Sequence, residues 1–330
     1  IKNSNFPIIK QSVNLELTNH ELPKFFYDST PCPYRQKGGS VEAEKLLQSF
    51  LNKRGENYQF EMSSPITAEK SCSRLSTHLT YGTISHRAVF QEATKKRDQI
   101  KHTNKNFAKS INSFLSRLHW RSHFIQKLED QPSIEHTSFI PVYDQIREKD
   151  EEKLEAWIEG KTGVHFIDAC MIYLRNHGWI NFRMRAMLAS FASYNLWLDW
   201  RYFAPRLAAL FTDFEPGIHY SQIQMQSGTT GINTIRMYNP YKQAMDQDPL
   251  AKFIKSQIPK VKNFPPAFFH NPPKKSLNVN LFDNEFQKEI INVKETAQYA
   301  RKKIFDIRKS QEHKILAKNV YLKHGSRGRS

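Results

Sequence analysis

WIEGKTGVHFIDACMIYLRNHGWINFRMR, residues 157–185, places one helical segment after another with glycine between them. The charged run REKDEEKLEAWIEG (147–160) reads as a surface helix that stops at Gly160, since glycine accepts the left-handed backbone that ends a helix. DACMIYLRNHGWI (168–180) is a second helix, closed by Gly178. The stretch 183–203 is longer and more apolar, and its Ala186, Ala189, Ser190, Ala192 and Ser193 allow close packing. Pro205 suits the first turn of a further helix over 205–211, because proline there loses no hydrogen bond.

The pattern extends in both directions. Phe107, Ile111, Phe114, Leu115, Leu118, Phe124, Ile125 and Leu128 recur every three or four residues, the period of an amphipathic helix. Gly38-Gly39-Ser40 opens a helix carrying Ala43, Leu46, Leu47, Phe50 and Leu51. Residues 52–70 and 131–150 read as connections, 212–234 as largely loop, and 283–320 as one long charged helix. The expected fold class is all-α and multi-helical. Its parts are an irregular N-terminal extension (1–37), a helical domain (38–260), and a Pro-rich segment with a basic helical tail (261–330).

Composition sets the bounds. Apolar residues make up 39% of 330, with 23 Phe, 13 Tyr and 5 Trp, enough for a sizeable ring-rich core and too much for a disordered chain. Cys32, Cys72 and Cys170 are widely spaced, so neither a disulfide framework nor a metal site is expected and the default is an intracellular, reducing compartment. No apolar run has the length of a membrane span. The chain begins at Ile1; a processed or truncated start is expected, which fits removal of a segment directing the protein to a plastid or mitochondrion. The net charge is +17, and residues 301–330 carry ten Lys/Arg against Asp306 and Glu312, a local net of +8. Such an excess attracts polyanions such as nucleic acid or an anionic membrane surface, although a solvated basic tail has the same composition.

SCSRLSTHLTYGTISHR (71–87) gathers hydroxyls where a helix begins. The free N–H groups of a first helical turn attract anions, and Ser73 and Ser76 add donors without bulk. A plain cap needs only one such hydroxyl, so a capped helix and a phosphate seat both fit. The polar 212–234 stretch, with Asp213, Glu215, His219 and Tyr220, follows the most apolar helices and suits the rim of a buried ligand.

SRLSTHLTYGTISHR resembles the phosphate-binding signature of the FAD-binding domain of the photolyase/cryptochrome family. HWRSHF (119–124), the 157–185 segment, ASFASYNLWLDWR (189–201) and RMYNP (236–240) follow in the family's order. The resemblance covers about 38–260 and includes no N-terminal antenna domain. It implies an all-helical domain holding FAD. Ser73, Leu75 and Ser76 would meet the pyrophosphate, with Cys72 standing where relatives often have Thr. Arg121 would neutralise phosphate charge. Arg185 and Asp213 match an ion pair beside the flavin ring, Glu215 a residue at the ring edge, and His219 the position facing N5, where a histidine would titrate near neutral pH.

The same resemblance exposes departures. Trp120 and Arg183 match positions that face the DNA lesion. A Glu that contacts the lesion aligns with Arg117, an Asn beside the flavin with Phe182, a Met with Ala186, and a stacking Trp with Met225. Of three relay tryptophans only the middle one has a counterpart, Trp200; the flavin-proximal position reads Ile223 and the outer one falls near Ile146–Arg147. Trp197, Tyr194 and Tyr220 are either substitutes or core rings.

Three functions fit. One is an FAD-binding photoreceptor, redox protein or assembly subunit without repair activity. A second is a short deoxyribodipyrimidine photolyase-like lyase gripping DNA through its positive surface. The third is a structural subunit of a large, RNA-containing complex, docked through 261–330.

Overall fold

The computed structural model describes residues 31–272 and 288–325. Residues 1–30, the part of the Pro-rich segment from 273 to 287, and 326–330 lie outside the described residues, and with them most of the expected N-terminal extension and the first residues of the expected 283–320 helix. Among the described residues the architecture is helical, and the only pairing of extended chain is one parallel bridge between Glu148 and Leu198.

The longest helix, Lys105–Asp130, begins at Asn104, whose side chain accepts from the Phe107 N–H at 3.0 Å. Phe107, Ile111, Phe114, Leu115 and Leu118 face a core shared with Leu47, Phe50, Leu75 and Val89. The helix Glu151–Glu159 starts under an Asp150 cap and ends at Gly160 with φ 70°; His165–His177 ends at Gly178 with φ 63°. Both terminators act as the sequence indicates. The second helix starts three residues before the expected Asp168. Around it lies the largest core, with Trp157, Ile167, Met171, Leu188, Phe191, Trp200 and Phe203 buried.

Five expectations are corrected. The stretch 52–70 contains short helical turns at Phe50–Arg54, Tyr58–Glu61 and Ala68–Ser71. The apolar 183–203 stretch is interrupted: Phe182–Ser190 passes into a wider π-type turn over Phe191–Asn195, and Trp197 at φ 57° reverses the chain. Pro205 lies inside the helix Trp200–Ala209, which Asp199 starts by accepting from the Arg201 N–H at 2.9 Å. The loop expected at 212–234 contains the helix Pro216–Ser227. Pro216 is its first residue and Gly228 its left-handed C-cap, so the residues that suggest a loop are its boundaries. Gly217 lets this helix approach the long one: a Cβ there would lie 2.7 Å from Ile125 Cα.

The last correction concerns the tail. Val293–Lys309 and Gln311–His324 are two helices parted at Ser310, whose hydroxyl accepts from the His313 N–H. Ala300, Ile304 and Val320 are buried against Ile134, Ile140, Tyr143 and Tyr194, while Lys294, Arg301, Lys302 and Lys303 stay exposed. No helix among the described residues is long and apolar enough to cross a membrane.

Candidate functional site

The hydroxyl-rich stretch forms a tight turn. Cys72 is extended, Arg74 takes a left-handed φ of 63°, and the helix Ser76–Thr80 follows. The Ser73 hydroxyl accepts from the Leu75 N–H at 3.4 Å. Leu75 is buried, whereas Ser73 and Ser76 are half-buried. Two arginines that sequence reasoning passed over brace the turn. Arg54 donates to the carbonyls of Lys70, Cys72 and Ser73 at 3.0, 2.7 and 3.2 Å, and Arg74 lies flat on Trp179, 3.7 Å from the ring centre. A cavity of about 610 Å³ lined by Gln36, Leu46, Arg54, Glu69, Lys70 and Arg74 borders the same turn. Burial pushes the Cys72 thiol up to about 12, so it stays protonated at neutral pH.

Three other segments reach this short helix. Arg121, on the long helix, donates to the Leu79 carbonyl at 3.3 Å and to Glu215 at 3.1 Å. Arg185 makes a two-pronged ion pair with Asp213 at 3.0 and 2.9 Å, donates to the Ile180 carbonyl at 2.6 Å and covers the Phe211 ring at 4.2 Å. The Thr80 hydroxyl contacts the Asp213 carbonyl at 3.5 Å. Cys72, Ser73, Leu75, Ser76, Arg121, Arg185, Asp213 and Glu215 are thus gathered from four separate parts of the chain.

His219 is one turn into the helix that follows Asp213. Its Nε2 lies 2.9 Å from the Ala204 carbonyl, with Phe214 and Phe211 edge-on to the ring. With Nε2–H donating to that carbonyl, Nδ1 is the unprotonated nitrogen. Burial lowers its pKa from 6.5 to about 4, which replaces the expected titration near neutrality. The unfolded chain therefore binds a proton that the folded chain refuses between those values. The stabilisation is fully present above pH 6.5 and lost as the pH falls to 4, roughly 3 kcal/mol in all. His219→Asn will flatten the dependence of unfolding free energy on pH across that window, measured by urea denaturation at several pH values. An unchanged slope would show that His219 is protonated in the fold.

The lesion-facing candidates occupy a more open surface. Arg117 and Trp120 lie three residues apart on the long helix and so share a face. Trp120 is 45% exposed and stacks on Phe124. Arg117 lies 5.9 Å from the ring centre of Phe182, itself 51% exposed. On either side of Phe182, Asn181 Oδ1 and Arg183 Nε are buried without a hydrogen-bond partner among the described residues. Orphaned polar atoms four and two residues before Arg185 fit a polar group bound nearby, such as the expected flavin.

Among the relay candidates, Trp200 is buried and donates to the Ser138 hydroxyl at 2.9 Å. Its ring is 6.4 Å from Tyr220, which lies 5.2 Å from His219 and 6.3 Å from Phe214. Trp197 packs on Tyr299 at 5.3 Å and Tyr194 is fully buried.

The chain is similar to known proteins over most of its length. The sequence pattern of the FAD binding domain of DNA photolyase matches residues 114–313. A deoxyribodipyrimidine photo-lyase of Streptomyces griseus is 29% identical over 241 residues, 73% of this chain and 50% of that one. An archaeal photolyase from Sulfolobus tokodaii, solved with two FAD molecules, superposes with a TM-score of 0.66 at 30% identity, over 82% of this chain and 57% of the other. A cryptochrome of Synechocystis sp. PCC6803 gives a TM-score of 0.75 at 21% identity over 85% and 60%, a likeness of fold. The chain spans about half the length of the relatives it matches.

Proposed function

Because the chain belongs to the photolyase/cryptochrome family through its FAD-binding domain, we propose that it holds FAD and uses it in a photoreceptor or redox role instead of in dimer repair. One arrangement carries this reading: Arg185 and Asp213 form their full ion pair, while Phe182, three residues before Arg185, is exposed beneath Arg117. The Arg185–Asp213 pair supports the flavin half of this reading; a guanidinium at 117 where the family has a lesion-contacting carboxylate, and a ring at 182 where it has an amide beside the flavin, support the half that excludes repair.

Bound FAD would supply light absorption and electron transfer. Ser73, Leu75 and Ser76 would bind its pyrophosphate, and Arg121 would contribute positive charge while staying tied to Glu215. The Arg185 guanidinium, held in plane by both oxygens of Asp213, would favour negative charge on a neighbouring ring. His219, neutral at physiological pH, would present Nδ1 as an acceptor. An arginine at position 117 offers donors only, so it cannot accept from a base N–H or give up a proton.

An absorption spectrum of protein reconstituted with FAD, taken before and after blue light, tests the cofactor and its response. Flavin bands that persist through gel filtration and bleach in light are expected. Dimer-containing oligonucleotide incubated in the light should remain unrepaired by the wild type, with a dark sample and Arg117→Glu as controls. Absence of retained flavin would overturn the cofactor assignment. Light-dependent repair by the wild type would make the chain a short photolyase, the role favoured by the exposed Trp120.

A further inference from the structure

A second set of buried donors lies where the tail helices meet the body. Among the described residues, Arg147 Nη1 and the hydroxyls of Tyr194, Ser193 and Ser227 are buried with no hydrogen-bond partner, and beside them the buried Tyr143 hydroxyl interacts with the Arg308 guanidinium. They share one neighbourhood. Arg147 donates through its other nitrogens to the Ser193 and Ser227 carbonyls at 2.9 and 2.7 Å, and its guanidinium lies 5.5 Å from the Tyr194 ring centre. The Tyr194 hydroxyl abuts Gly228, where a Cβ would come within 2.5 Å of it. His313, its Nε2 also unpartnered, meets Tyr143 edge-on at 5.6 Å and sits beside Gly231. Burial raises the Tyr143 and Tyr194 phenols, and both guanidiniums oppose that rise in each.

The charge balance is the telling feature. Among the described residues Arg147, 7% exposed, makes no ion pair, and Arg308 reaches the Asn233 carbonyl at 2.7 Å and the Tyr143 hydroxyl but no carboxylate. Asp199, the carboxylate that acts on Arg147, is already paired with Arg201. A buried guanidinium without a counter-charge is strongly unfavourable, and a cluster of unfilled donors adds to it. A small anion relieves both.

We propose that this cluster is an anion site for a tetrahedral oxyanion, inorganic phosphate or a phosphate monoester, bound between Arg147 and Arg308 and ringed by the tyrosine and serine hydroxyls. Forked guanidiniums match such oxygens in pairs, and hydroxyls rotate to donate to the remainder. Arg147 belongs to the body and Arg308 to the tail, so the anion clamps the tail helices in place. The assignment does not depend on flavin binding.

Thermal unfolding of the full chain in inorganic phosphate, against chloride at equal ionic strength, tests it. A saturable rise in Tm of about 2–4 °C with phosphate alone is expected. Arg308→Gln, at a half-buried tail position that tolerates a neutral polar group, should lose the rise. Arg121→Gln should keep it, which separates this site from the flavin phosphate seat. Equilibrium dialysis with labelled phosphate should give one site per chain, independently of whether Arg147→Gln folds. Glycerol phosphate replaces inorganic phosphate in a parallel titration: an equal response shows that the site takes the free ion and its esters alike, and none assigns it to the free ion. Equal shifts with chloride and phosphate, or an undiminished shift in Arg308→Gln, would overturn the proposal.

Discussion

Arg185→Leu will destabilise the protein by roughly 3–5 kcal/mol and abolish retention of flavin. The asymmetry of burial within the pair explains the size. The Asp213 side chain is 3% exposed, whereas that of Arg185 is 26% exposed. Removing the arginine leaves a carboxylate in a site that water does not reach, with both oxygens deprived of charged donors. The Ile180 carbonyl loses its 2.6 Å donor in the same step, and Phe211 loses the guanidinium that covers it. Arg185→Lys should recover only part of both effects. An ammonium restores the charge but has no planar fork to bridge two carboxylate oxygens and reach a backbone carbonyl besides. Urea denaturation reads the stability, and flavin absorbance after gel filtration reads the retention. A leucine variant with wild-type midpoint and wild-type flavin content would show that the pair is dispensable, and the proposed function would lose its main support.

The helices that were legible in the sequence end in residues with one conformational meaning. Gly160 and Gly178 each follow an apolar-periodic run, and each is left-handed in the structure. The errors fall where the same residue type has two uses. Pro216 and Gly228 punctuate a loop or bracket a helix equally well, and only the contact of Gly217 with Ile125 decides, across more than ninety residues of chain. Ser310 divides the tail because its hydroxyl caps the second helix, a role that a serine in a charged helical run does not announce. The candidate site was read from its ordered motifs, which name Ser73, Ser76, Arg121, Arg185 and Asp213. What they could not convey is the pairing. That Arg121 is taken up by Glu215, that Arg54 braces the turn from behind, and that Arg74 is left-handed are outcomes of tertiary packing. His219 shows the same limit: its place in the sequence suggests a titrating donor, and its burial against Ala204 makes it a neutral ring.

The motif WIEGKTG, residues 157–163 at the head of the 157–185 segment, leads to the last large effect. Asp168, 3% exposed, accepts from the Thr162 N–H at 2.8 Å, the Thr162 hydroxyl at 2.7 Å and the Gly163 N–H at 2.9 Å. Burial pushes its carboxyl up to about 6, and those three donors hold it below where burial alone would leave it. The turn so fixed has Gly163 at φ 79° and carries the chain against residues 288–290, where the Ile290 N–H donates to the Thr162 carbonyl at 3.0 Å. A Cβ on Gly163 would lie 2.6 Å from Glu289 N and from the carbonyl carbon and oxygen of Lys288. These are backbone atoms, so no rotamer change relieves the overlap. Gly163→Ala therefore combines left-handed strain with displacement of the 288–290 strap, about 2–5 kcal/mol together. The contact of Glu289 with the Tyr241 hydroxyl should be lost with the strap. Gly82→Ala is the matched control. Gly82 has φ 67° and, among the described residues, nothing within 4 Å of its Cβ position, so that variant should show the backbone strain alone, about 1–2 kcal/mol. Urea midpoints of the two variants, measured side by side, separate strain from overlap. Equal losses would mean that the strap yields freely, and that the glycine of the motif serves only its backbone angle.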